Sequence, residues 1–268
     1  MKTSVQGAVR GSILLKEQSN EGVVTLTLNR PAQFNALSQE LLGELQTALD
    51  AIAADRGARV VVIGGAGKAF CAGHDLKEMR ANPVKEFQQA LFDQCSRMML
   101  TLTEMPQPVV ARVHGIATAA GCQLVAMCDL AVASESARLA VSGINVGLFC
   151  STPSVGLARN IGRKQAMEML LTGDFIDART ALERGLVNRV VPDEELDAEV
   201  KKLADAIVAK SPVAISSGKR MFYAQLEEGL AGAYALASEV MACDMMNEDA
   251  QEGIDAFIEK RAPEWQGR

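Results

Sequence analysis

Hydrophobic and polar positions follow two different periods along this chain, and the alternation between them sets out its elements. Val24, Leu26 and Leu28 alternate with Thr25 and Thr27, the period of a strand buried on one face, and Asn29-Arg30-Pro31 closes it. Ser38 stands as a helix N-cap, and Leu41, Leu42, Leu45, Ala48, Leu49 and Ile52 follow at helical spacing. Residues 60–63 form a short unbroken apolar run, a strand ending in Gly64-Gly65-Ala66-Gly67. Phe87, Leu91, Met98, Leu102 and Met105 mark a longer helix that stops ahead of Pro106 and Pro108. Residues 109–113 and 130–133 read as further strands, with a helix over 122–127 between them. Strands alternating with helices in this way predict a layered α/β domain.

Beyond Val141 the pattern turns mostly helical. Helices are predicted over 163–171 and 178–184, the second ended by Gly185 at a position that favours left-handed backbone. Residues 187–191 form a last strand, closed by Pro192, and helices follow over 194–209, 212–226, 232–246 and 248–260. The apolar faces of that Ala- and Met-rich tail exceed what one short helical hairpin buries, so packing on another subunit is expected. Met241, Met245 and Met246 read as core or interface rather than as a site.

Composition narrows the function classes. The chain has 268 residues, 49% apolar and 22% charged, with a net charge of −6 and no basic run to track phosphates, which argues against a nucleic-acid surface. No apolar run approaches the roughly 18 residues of a membrane span. The first residues, MKTSVQGAVRGSILL, lack the apolar core and cleavage site of a secretory signal. Six cysteines without a CxxC pair read as free thiols of a reducing compartment, and a cytoplasmic protein is expected. Two histidines and no HxxxH or Cys/His cluster make a transition-metal site unexpected.

The chemistry is expected in residues 114–129, HGIATAAGCQLVAMCD. Small residues only, Gly115, Ala117, Ala119, Ala120 and Gly121, separate a buried strand from a helix. Such a turn lets a ligand approach the backbone, and the first helical N–H groups have no partner in the chain. An oxygen gaining negative charge there would be held by fixed dipoles. A tightly packed strand–helix turn without a ligand accounts for the same residues.

A second motif, Lys68-Ala-Phe-Cys-Ala-Gly-His-Asp-Leu-Lys-Glu-Met79, also follows a strand. Together with Gly115-Ile-Ala-Thr-Ala-Ala-Gly-Cys-Gln-Leu124, Asn29-Arg-Pro, Asn35-Ala-Leu-Ser38 and Met169-Leu-Leu-Thr-Gly-Asp174, it closely resembles the enoyl-CoA hydratase/isomerase family, the crotonases, over nearly the whole chain. The resemblance implies an α/β spiral of strand-strand-helix units over 1–205 and an all-helical trimerisation region over 206–268, in a homotrimer or a dimer of trimers. It implies a coenzyme A thioester as substrate and no separate cofactor or metal. By motif position the thioester oxygen is gripped by the backbone N–H groups of His74 and Ala120. Ala36, Lys68, Ala72, His74, Asp75, Leu76 and Gly121 are the positions expected to meet the acyl-CoA.

The chain departs from the hydratase pattern at the two acids. The glutamates that hold and activate water in hydratases fall on Gln123 and Gly143. Neither residue transfers a proton, and such groups contribute typically about 10²–10⁴ each in rate, so ordinary hydration should be feeble. Ser142-Gly-Ile-Asn-Val-Gly-Leu-Phe-Cys150 resembles the corresponding segment of 1,4-dihydroxy-2-naphthoyl-CoA synthases, which have glycine at the position of Gly143 and an aspartate where this chain has Cys150. Cys150 is either a perturbed proton-transfer thiol or a small buried one.

Other residues carry two readings. The His74 imidazole either acts as an acid or base or lines the acyl pocket, and His114 reads as structural. Asp75 and Asp129 are read as capping or backbone-bonding residues. Lys68, Lys77 and Lys219 either meet coenzyme A phosphates or are solvated, and Thr118 and Ser142 either bind a water or serve packing. Three functions stay open on these residues: a hydratase/isomerase-type enzyme with an enolate intermediate, another crotonase reaction such as C–C bond synthesis or cleavage or thioester hydrolysis, and a non-catalytic acyl-CoA binder.

Overall fold

In the computed structural model, which describes residues 11–268, the strands with unbroken apolar runs are covered on both faces. The first ten residues of the N-terminal stretch, expected to carry no secretory signal, lie outside the described residues. The described chain opens with an antiparallel pair, β1 (Leu14–Gln18) and β2 (Val23–Leu28), in which Val24, Leu26 and Leu28 are fully buried. Helix α1 (Gln39–Ala53) starts on Ser38, whose hydroxyl accepts the Leu41 N–H, and buries Leu41, Leu42, Leu45, Leu49 and Ile52. These are the cap and the stripe that the spacing predicts.

The chain then repeats one unit. Strands β3 (Val60–Gly65) and β4 (Ala69–Cys71) lead to α2 (Leu76–Ala81) and α3 (Lys85–Glu104). Strands β5 (Val109–Val113) and β6 (Ile116–Thr118) lead to α4 (Ala120–Met127), and β7 (Leu130–Ser134) and β8 (Arg138–Ala140) lead to α5 (Ser151–Asn160). Next come α6 (Arg163–Thr172), β9 (Ile176–Asp177), α7 (Ala178–Glu183), β10 (Arg189–Val191) and α8 (Leu196–Val208). The first strand of each unit joins a six-stranded sheet of order β1-β2-β3-β5-β7-β10, parallel from β2 onward. The second strands form a smaller sheet, β4-β6-β8-β9. Each turn of this spiral therefore leaves one sheet, crosses to the other and returns through a helix.

Burial on both faces explains the continuous apolar runs. Val61, Ile63, Val109 and Ala111 face the main core, whereas Val60, Val62, Val110 and Val132 pack on Leu196, Val200 and Ala204 of α8. The domain division expected between 205 and 206 therefore cuts a helix that seals the sheet. The helical region that stands apart begins one element later, with α9 (Pro212–Gln225), α10 (Leu230–Asp244) and α11 (Glu248–Glu259).

No residue of α9 or α10 belongs to the hydrophobic core, yet α9 is anchored by the polar ends of two side chains, Lys219 and Tyr223. Lys219 Nζ donates to Asp129 Oδ2 at 2.7 Å and to the carbonyls of Leu102 and Gln107 at 2.7 and 2.8 Å. Asp129 also accepts from the Val109 N–H at 2.7 Å and from the Tyr223 hydroxyl at 2.8 Å. Lys219 is thus a buried structural cation, and its alternative reading as a phosphate contact is overturned. Asp129 has the backbone-bonding role read from its position.

Candidate active site

The two glycine-containing motifs meet at Gly73, where the backbone leaves no room for a side chain. A Cβ there would lie 2.9 Å from Ala119 Cβ and 3.2 Å from Ala120 N, and Gly73 adopts φ +87°. On the other side, the Leu37 N–H donates to the Gly73 carbonyl at 2.7 Å and the Asp75 N–H donates to the Leu37 carbonyl at 3.0 Å. This bridge engages the residues on either side of His74 and turns the His74 N–H away from Leu37. Among the described residues that N–H has no acceptor.

Helix α4 presents the second donor. Ala119 precedes it at φ 50°, ψ −120°, a conformation that strains an L-residue by about 1–3 kcal/mol and that its N–H bond to the Ala140 carbonyl, 3.0 Å, helps to hold. The Ala120 N–H then opens the helix without an acceptor among the described residues. Gly121 fixes the helix against β4, since a Cβ there would fall 2.1 Å from the Cys71 carbonyl oxygen. The result is two unengaged main-chain donors on touching segments, one at the N-terminus of a buried helix.

The charged residues around this point are engaged in folding. Asn35, wholly buried at φ 55°, donates to the carbonyls of Ala66 and Ala69 at 2.9 and 2.7 Å and accepts the Arg30 N–H at 2.9 Å. Arg30 pairs with Asp75 at 2.9 Å, and Asp75 caps α2 by accepting from the Lys77 and Glu78 N–H groups. Burial works to raise the Asp75 pKa, but the Arg30 bond and the cap outweigh it and hold the carboxyl below the usual range. Sequence reading quoted Asn35 within a motif and missed its role as a clamp between three segments.

The positions expected to carry acids hold none. Gln123 follows Ala120 by one helical turn, and its side chain is 5% exposed with no hydrogen-bond partner for Oε1. Gly143 sits in a 3-10 turn where a Cβ would lie 2.6 Å from the Leu148 carbonyl oxygen, so a longer side chain meets main chain. The Cys150 thiol accepts the Gly143 N–H, and burial pushes its pKa up, which favours the reading of a neutral packing thiol. Thr118 and Ser142 hydrogen-bond each other at 2.7 Å. The His74 ring packs edge-on to Phe92, with centroids 5.3 Å apart, and both ring nitrogens are buried with no well-aligned hydrogen-bond partner among the described residues, the Leu37 backbone being the one polar group that acts on the ring. Burial lowers its pKa to about 4, so the imidazole is neutral near pH 7.

The remaining expected positions divide. Ala36 is buried, with its carbonyl accepting from Arg30, and the Ala72 N–H donates to the Phe34 carbonyl, so both stand beside the Leu37–His74 bridge. Leu76, 56% exposed, begins α2. Lys68 is exposed at the opposite end of β4, where its carbonyl lies under Gly115. His114 binds the Gly67 carbonyl at 3.0 Å and is structural, as read. A cavity of about 1190 Å³ lies elsewhere, between the Thr25 and Thr27 side of the large sheet and α8. Within its lining, Arg112 pairs with Asp197 and Lys201 with Asp205.

Two main-chain donors left unengaged on touching segments are groups that can hold an oxygen gaining negative charge. The chain belongs to the enoyl-CoA hydratase/isomerase family, whose description matches residues 18–268. It is 46% identical to enoyl-CoA hydratase domain-containing protein 3, mitochondrial, of Xenopus laevis over 248 residues, 92% of this chain and 84% of that one. It is 36% identical to 2,3-dehydroadipyl-CoA hydratase of Escherichia coli over 250 residues, 92% of this chain and 96% of that one. Among solved structures, an enoyl-CoA hydratase of Mycobacterium smegmatis superposes with a TM-score of 0.94 at 57% identity, covering 95% of this chain and 99% of that one. Human enoyl-CoA hydratase domain-containing protein 3 gives 0.92 at 43%, covering 95% and 100%. Among the described residues no helix is long and apolar enough to cross a membrane.

Proposed function

We propose that this protein binds an acyl-CoA thioester with its carbonyl oxygen between the N–H groups of His74 and Ala120, and stabilises the enolate formed when an α-proton passes to solvent water or hydroxide. The observation that carries this reading is the pair of unengaged donors on the touching Gly73 and Ala119–Ala120 segments. Charge that develops on the oxygen meets dipoles already in place, and one lost donor of this kind typically costs roughly 10²–10³ in rate.

With glutamine at 123 and glycine at 143, the site has no carboxylate to move a proton to or from water, so hydration of a 2-enoyl-CoA is slow. The neutral His74 imidazole and the raised thiol of Cys150 do not replace that pair. The test is to titrate the protein with crotonyl-CoA and butyryl-CoA, measure hydration, and follow deuterium exchange at the acyl α-carbon. Binding and exchange with weak hydration are expected. Hydration at the rate of a two-glutamate relative sinks the account of the acids, and no affinity for any coenzyme A ester sinks the site.

The exposed apolar residues of the helical region, such as Leu230 at 78% and Phe257 at 85%, support assembly with further copies of this chain, as a trimer or a dimer of trimers. Sedimentation of the purified protein checks this directly, and a monomer at micromolar concentration contradicts it. The vertebrate relatives are named as mitochondrial proteins. The cytoplasmic address read from cysteine usage is met by any reducing compartment, so thiol content does not choose between the two.

A further inference from the structure

The carbonyls of Leu102 and Gln107 lie where proline has removed the donors that would otherwise meet them. Leu102 is in the last turn of α3, and the residue four places on, whose N–H would close its helical bond, is Pro106. Gln107 stands between Pro106 and Pro108. Lys219 Nζ supplies both bonds, and its third proton goes to Asp129, two residues beyond the end of α4. An ammonium has three donors, and here each meets an acceptor at 2.7–2.8 Å with the side chain 7% exposed. Tyr223, one turn along α9, donates to the other Asp129 oxygen. These two side chains of α9 therefore join the C-terminal ends of α3 and α4. The same two helices meet the clamp further back along their length. Helix α4 opens with the Ala120 N–H, and Phe92 of α3 packs on the ring of His74. At a rise of about 1.5 Å per residue, the Lys219 junction lies roughly 10–15 Å along the helices from both contacts.

Resting on the function proposed above, we propose that Lys219, with Tyr223 beside it, is a positioning residue that sets the distance between the two clamp donors by fixing α3 against α4. No side chain caps the N-terminus of α4, so the aim of the Ala120 N–H follows the axis of the helix. The Ala119 bond to the Ala140 carbonyl and the Gly121 contact with Cys71 hold the near end of that helix. Asn160 Nδ2, bonded to the Ala126 carbonyl at 2.9 Å, holds its far end to α5. None of these contacts reaches α3, and the Lys219 ammonium does. Reacting groups must sit within about 0.5 Å of their productive geometry, and a shift of about 1 Å caused far from the chemistry can cost roughly 10²-fold in rate. Because Lys219 and Tyr223 belong to α9, the helical region shapes the clamp without touching the ligand.

The experiment uses butyryl-CoA and its thioether analogue S-butyl-CoA, which lacks the carbonyl oxygen. Affinities for both, and the infrared carbonyl stretch of bound butyryl-CoA, are measured in the full-length wild type, Lys219→Met, Tyr223→Phe and Arg184→Met. The last breaks an ion pair with Glu168 away from α3 and α4. A ratio of two affinities and the frequency of a bound carbonyl do not depend on the fraction of chains unfolded, so lost stability alone moves neither. Wild type and Arg184→Met are expected to prefer the thioester about tenfold or more and to lower its carbonyl frequency below that of the free ester. Lys219→Met is expected to cut that preference about threefold or more and to return part of the frequency shift. Tyr223→Phe, which loses one bond, should do the same to a smaller extent. Preference and frequency unchanged in Lys219→Met overturn the positioning role, as does an equal change in Arg184→Met. Where Lys219→Met does not fold, Tyr223→Phe decides by the same two readings, and no change in either overturns the proposal. A wild type that binds thioester and thioether alike overturns the clamp itself.

Discussion

The Sγ of Cys150 lies 2.7 Å from where a Cβ on Gly143 would stand, and it accepts the Gly143 N–H at 3.2 Å. The thiol and the Leu148 carbonyl together fill the space that a side chain at 143 would occupy. An acid is therefore not simply missing at this position, because the loop has closed over its place.

Gly143→Ala should lower stability by about 1–3 kcal/mol through overpacking, since the stiff contact is main chain rather than the end of a side chain. Gly143→Glu should lower it at least as much and leave hydration of crotonyl-CoA no faster than wild type. Thermal unfolding beside a hydration assay checks both; a stable and active Gly143→Glu would mean the loop opens readily.

Gly73→Ala attacks the clamp from the other side. The added methyl meets Ala119 Cβ and crowds the Ala120 N–H, on backbone that disfavours any Cβ. Exchange of acyl α-protons should fall by roughly 10²–10³ if one donor is displaced. Circular dichroism and unfolding midpoints separate that loss from loss of the fold.

The buried imidazole of His74 gives a pH dependence of known sign. Its folded-state pKa, lowered to about 4 by burial, lies below the ordinary 6.5 of the unfolded chain. Between those values the unfolded chain binds more protons, so stability falls as the pH drops through that window, by at most about 3 kcal/mol. Above pH 6.5 the group contributes no slope. Denaturant midpoints at pH 7 and 4.5 should differ more in wild type than in His74→Phe, and equal differences would place the ring in contact with water.

Lys219→Met should be the most damaging of these changes to stability. It leaves the Asp129 carboxylate and the Leu102 and Gln107 carbonyls without their shared donor, a loss of about 3–5 kcal/mol for a broken buried pair. Tyr223→Phe removes only one bond to Asp129 and should cost about 1–2 kcal/mol. Urea unfolding of the two variants checks the order.

Periodicity made the long elements legible. The Thr25/Thr27 alternation, the Ser38 cap and the Gly185 turn, at φ +84°, all stand where the pattern places them. The short strands β4, β6 and β8 were not legible, because three residues show no period, and they make up most of the second sheet. Helix α4 begins at Ala120, two residues ahead of the helix read from sequence, because small residues mask a helix start as readily as a turn.

At the site, Gly73, Ala119 and Gly121 were legible only as small residues. Their close approaches depend on strands far apart in sequence, which no local window contains. The pairing of Lys219 with Asp129 spans 90 positions and was likewise hidden. Lys219 and Tyr223, four apart on one helix face, were the available signal.

Both donors of the clamp belong to the peptide chain itself, not to any side chain. Replacement of His74 or Ala120 by most other amino acids leaves an amide hydrogen in place, and among the twenty only proline deletes it. Mutation at 123 can thus rewrite the chemistry, while a grip of the kind proposed here is inherited with the shape of the backbone.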